Sequence, residues 1–166
     1  MALVRNASWD YLAANALGRA VYAEIFDGRT GAPNHVRYVF LDDRSCRFFD
    51  DWDAVAHDTA RILRAEAGRD PDDPGPAELI QQMLAVSEDF RTAWARQDVR
   101  LPAAGPHRFI HPDVGVFDLV FEAASLRADP GLTLLLATAD PRSATESALQ
   151  RLTNLSAAAR GASRQG

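Results

Sequence analysis

From Phe40 to Val99 apolar residues recur at three- and four-residue spacing, the period of helices that bury one face. Trp52, Val55, Ala56, Thr59, Ile62 and Leu63 form the first stripe. They follow Asp50 and Asp51, which supply an N-cap and negative charge where a helix start favours both. The segment GRDPDDPGP ends that helix, because its prolines lack the donor a continuing helix needs and Gly68 suits a C-terminal cap. Leu79, Ile80, Met83 and Leu84 mark a second helix. Ser87 caps a third, with Phe90, Ala93 and Trp94 on one side. Upstream, residues 8–15 alternate as a strand with Trp9, Tyr11 and Ala13 on one face. Asn15 then caps a helix carrying Leu17, Val21 and Ile25, and Asn34 caps a shorter one carrying Val36, Val39, Phe40 and Leu41.

After Val99 the period changes to two. The connector LPAAGP leads into strands at residues 107–111, 115–123 and 132–139, separated by turn signals at Pro112-Asp113 and Asp129-Pro130-Gly131. This pattern predicts an antiparallel meander. In its second strand Val116, Leu119 and Phe121 are large, as are Phe117 and Val120, which implies cover on both sides. The helices would supply one cover, and a partner chain or the C-terminal helix the other. Ser143 and Glu146 form a capping box for that last helix, whose buried side is Ala148, Leu149, Leu152 and Leu155. The tail from residue 159 has no apolar anchor and is expected to fray. The fold class is therefore α+β, with a helical middle, an antiparallel sheet and a C-terminal helix.

The chain of 166 residues, 47% hydrophobic and 25% charged, fits one globular domain. Its net charge of −5 argues against nucleic-acid binding by this domain alone. All 18 basic residues are arginine, a bias expected of a high-GC coding genome. The nearest basic cluster, Arg61, Arg64 and Arg69, is interspersed with Glu66 and Asp70 and reads as a solvated helix face. Cys46 is the sole cysteine, so neither an intrachain disulfide nor a cysteine-rich zinc site is expected. There is no signal peptide, and the apolar run at residues 132–139 is too short to span a bilayer. A cytoplasmic protein follows as the expectation.

Catalytic and metal patterns are sparse. His35, His57, His107 and His111 offer no helical pair for a metal, although His107 and His111 share a strand face. Asp50, Asp51, Asp53, His57 and Asp58 read as capping and solvation rather than a cation site. No nucleophile elbow or glycine-rich phosphate loop is present, and Cys46 lacks an obvious histidine partner. Neither an enzyme nor a cofactor is expected.

The runs RYVFLDDR, RAEAGRDPDD, SEDFRTAWARQDVR and RFIHPDVG, with LVFEAASL and LTLLLATADPRS, resemble the MmyB-like ligand-binding domain from about Trp9 to Leu155. The resemblance implies a PAS-like fold over residues 9–158, between a leader at 1–8 and a flexible tail at 159–166. It implies the effector-sensing part of an XRE-type transcription regulator, one that accepts a small apolar, fatty-acid-like molecule. DNA would be reached only through an N-terminal helix-turn-helix absent from this chain, and a homodimer is a further possibility. In such a shell Phe40, Trp52, Phe90, Trp94, Phe109 and Phe121 would line a cavity, with Arg37 or Arg64 meeting a carboxylate at its mouth. The plainer reading of the same aromatics is a filled core. An interaction module without a ligand, and a small-molecule enzyme, are the alternatives. Two departures from the family pattern, Gln97 after WAR and ADPRS in the last strand region, leave the ligand's identity open.

Overall fold

Short polar side chains start the helices where the sequence places them. In a computed structural model that describes residues 1–96 and 106–162, Asn15 accepts a hydrogen bond from the Gly18 N–H at the head of α1 (Ala16–Val21). Asn34 accepts from the Arg37 N–H and opens α2 (His35–Leu41). A single turn, α3 (Ser45–Phe48), leads to α4 (Trp52–Arg69), capped by Asp51. Asp73 caps α5 (Pro74–Val86), and Ser87 caps α6 (Glu88–Ala95). These caps satisfy N–H groups that have no carbonyl partner within their own helix. Gly68 does not terminate α4, which continues through Arg69. The connector at residues 97–105, with Gln97, lies outside the described residues.

Two strands precede α1: β1 (Ala2–Arg5) and β2 (Tyr11–Ala14). Beyond the helices come β3 (His107–His111), β4 (Gly115–Ser125), β5 (Thr133–Thr138) and α7 (Ala144–Ala162). All pairings are antiparallel, in the order β2-β1-β5-β4-β3. The meander is present, and the sheet extends past it in a PAS-like arrangement. Residues 1–8, read as a leader, contain β1, which lies between β2 and β5. The strand expected at 8–15 is confined to Tyr11–Ala14. Trp9 sits in a turn before it, with φ at 64°. Leu12 is the extra residue of a bulge opposite Val4 and Arg5.

The inner face of the sheet buries Leu3, Phe109, Phe117, Leu119 and Ala137. Helix α1 lies tightly on β1, since a Cβ at Gly18 would approach Ala2 O to 2.9 Å. Helix α7 packs against α1 and β4. Its Thr145 hydroxyl accepts the Asp118 N–H at 3.1 Å where β4 runs on without β5 beside it. Ser143 caps α7 as expected by accepting the Glu146 N–H. The outer face keeps Leu12, Ile110, Val116, Val120 and Leu136 exposed, so α7 is not its cover.

Asn34 is the pin between these parts. It is fully buried, and its amide donates to Ser8 O and to Asp10 Oδ1, both at 2.8 Å, while its oxygen caps α2. Asn34→Ala removes a cap and leaves buried groups unpaired, a loss of about 3 kcal/mol in chemical denaturation. Leu12→Ala, on the exposed bulge, is expected to change stability by less than about 0.5 kcal/mol.

Candidate functional site

Helix α4 presents Val55, Thr59, Ile62, Glu66 and Arg69 at spacings of three, four and seven residues towards the inner face of the sheet. The strands opposite contribute Arg5, Tyr11, His107, Phe109, Phe121 and Leu135, which occupy inward positions of the pleat. Between them is a cavity of about 480 Å³. Tyr11, Tyr22, Phe49 and Phe109 close its deep end and are buried, whereas Ala123, Ser125 and Arg69 at the other end are exposed.

A buried charge pair joins the two walls. Alternation along β1 turns Arg5 inward beside Leu3, and Glu66 meets it with two hydrogen bonds of 2.9 and 2.7 Å. The Trp9 indole N–H donates to the same carboxylate at 2.7 Å, and the Arg5 guanidinium lies 4.1 Å from the Trp9 ring centre. Two-point pairing and stacking suit arginine better than lysine. They also hold Trp9 in its left-handed backbone conformation, which a bulky residue rarely adopts.

His35 stands at the deep end among the rings of Trp9, Tyr11, Tyr22 and Phe49. Its Nδ1 is 3.1 Å from the Tyr11 hydroxyl. Desolvation by these rings pushes its imidazole down to about 3, with the Arg5 and His107 charges acting in the same direction. His35 is therefore neutral at physiological pH. Burial likewise raises the Tyr11 and Tyr22 hydroxyls, which stay protonated. His111 has a structural place outside the cavity: its Nδ1 accepts the Asp113 N–H, leaving Nε2 to donate to Ala20 O.

Of the eight residues singled out by sequence, Phe109 and Phe121 line the cavity. The other six stand apart from it, within the helical layer. Phe40 meets Trp52 and Phe90 edge-on, with ring centres 6.2 and 5.0 Å apart, and Phe90 stacks on Trp94. The Trp52 N–H is used by Val39 O and Ser45 Oγ. Arg64 covers the Trp94 ring at 4.2 Å and hydrogen-bonds Trp94 O, while Arg37 donates to Gln82. For Phe40, Trp52, Phe90 and Trp94, the filled-core reading describes their surroundings. Sequence reasoning passed over Arg5, Trp9, Glu66 and His35. The available clue was that Trp9 and Tyr11 share a strand face.

The buried pair carries a double-mutant test. Glu66→Gln strands the Arg5 charge and is expected to cost about 3 kcal/mol or more, whereas Arg5→Met with Glu66→Leu recovers most of that loss. The proton balance of His35 gives a second. Its folded pKa lies below the unfolded value of 6.5, so below pH 6.5 the unfolded chain takes up a proton that the native protein refuses. Stability then falls as pH drops towards about 3, by up to about 1.4 kcal/mol per pH unit. Hydrogen bonds from Arg44 hold the Asp27 and Asp42 carboxyls below their usual range, so their own losses come at lower pH. Between pH 6.5 and 4.5 a His35→Gln protein should accordingly lose less stability than wild type in denaturant titrations.

The family model of the MmyB-like transcription regulator ligand binding domain matches residues 2–152. The match spans β1 through the first part of α7 and includes both walls of the cavity. No curated protein matches the chain. The chain belongs to the family of MmyB-like transcription regulator ligand-binding domains.

Proposed function

We propose that the cavity between α4 and the sheet receives a small apolar, fatty-acid-like molecule, and that its occupancy controls a helix-turn-helix DNA-binding domain attached to this one. The observation that carries this reading is the chamber itself. Its volume falls within the roughly 300–1,000 Å³ of small-molecule sites, and its walls are mostly aromatic and aliphatic with a few fixed polar groups. The Arg5–Glu66 pair neutralises itself, Asp58 is paired with Arg61 and His35 is uncharged, so an apolar body can enter without stranding a charge. A ligand shifts such a domain only by binding one packing more tightly than the other. Its target here is α4, whose cavity side lacks close packing. The domain would act as a cytoplasmic sensor; among the described residues no helix is long and apolar enough to cross a membrane.

The outer sheet face favours a second reading, in which the domain also dimerises. Antiparallel sheets commonly turn polar residues to solvent, yet Ile110, Val116, Val120 and Leu136 are exposed here. Sedimentation across a concentration series, with Val116→Glu as the comparison, tests it.

For the sensor reading, native mass spectrometry of the purified protein beside an organic extract should reveal a retained apolar compound. Thermal shift with a saturated fatty-acid series should identify a preferred length. Ile62→Trp fills the chamber and is expected to weaken that binding by at least about tenfold. Trp94→Phe, outside the chamber, should leave the affinity within about twofold. An empty protein with no shift across the series would overturn the proposal.

A further inference from the structure

We infer that the ligand is an acid held with its anionic head outward, at Arg69 and Arg127, and its apolar body inward among the aromatic rings. This rests on the reading of the cavity as a ligand site and adds the orientation and the charge of what binds there. Beyond the chamber's open end is a second hollow of about 360 Å³, between the C-terminal end of α4 and the turn joining β4 to β5. The two share Glu66, Arg69, Ser125 and Thr133, so one elongated molecule can occupy both.

Charge decides the orientation. Arg5 is the cation of the inner wall, and both its pairing directions are taken by Glu66. A carboxylate brought to the deep end would have to displace Glu66 or remain unpaired in a desolvated site, and either costs several kcal/mol. His35 is neutral and offers it no charge. At the outer end, Arg69 and Arg127 are exposed and, among the described residues, neither makes an ion pair or a side-chain hydrogen bond. Three acids also line the outer hollow. Glu66 is paired with Arg5, which leaves Asp70 and Asp73 as the charges opposing an anionic head, the latter also accepting the Gly75 N–H at 2.9 Å.

Isothermal titration with decanoate and with decan-1-ol separates the head from the body. Wild type is expected to prefer the acid by about tenfold, and added salt should erode the preference because the anchoring arginines are exposed. Arg69→Gln with Arg127→Gln should reduce the preference to about one while leaving alcohol affinity and melting temperature unchanged. Asp70→Asn should strengthen acid binding alone. Equal affinity of wild type for acid and alcohol overturns the inference and leaves the ligand site standing. So does a preference that survives high salt and the double substitution, which would point to Arg5. If neither compound binds, the site reading fails and this inference fails with it.

Discussion

The two-point ion pair between Arg5 and Glu66 is the constraint on which the rest of the cavity depends. A lone guanidinium on the inner face of a sheet would cost several kcal/mol, and a lone carboxylate on the facing helix as much again. Joined, and completed by the Trp9 N–H and ring, they leave no net charge and tie β1, with strand neighbours on both sides, to the long helix opposite. An apolar chamber can persist beside such a pair because neither charge needs water from it. The neutral His35–Tyr11 contact follows the same logic at the deep end, where burial suppresses protonation rather than a partner compensating it.

What was legible in the sequence was what depends on neighbours in the chain. Asn15, Asn34, Asp51, Ser87 and Ser143 each cap the helix they precede, since a cap is settled within four residues. The meander was legible from its period and turns. Strand β1 was not: ALVR is four residues long, includes an inward arginine, and is a strand because Leu134, Leu135 and Leu136 lie beside it. Arg5 and Glu66 are separated by 61 positions, and no local pattern announces such a pair. Phe109 and Phe121 were grouped with Phe40, Trp52, Phe90 and Trp94 as one set of large aromatics that could face the space between sheet and helices. Size does not distinguish rings that meet a void from rings that meet each other edge-on.

Helix α4 resolves that ambiguity and explains why the domain has both a filled core and a chamber. Its apolar stripe reads in sequence as a single broad face. In the fold it divides. Ala56, Ala60 and Leu63 are buried, and Arg64 reaches the Phe90–Trp94 stack. Val55, Thr59 and Ile62 turn instead to the chamber. The helical side is close-packed, so α4 resists deformation there and responds to a load as part of a rigid layer with α6. The sheet side has space, and its fixed tie is at Glu66. On the proposed reading, a ligand that fills that space would load the helix on its less supported side. The helical layer can then shift relative to the sheet only if β1 moves with it through Arg5 or the ion pair opens. On the sensor reading proposed above, close packing on one side and the charged tie at Glu66 on the other would favour two discrete positions over a continuum of small adjustments.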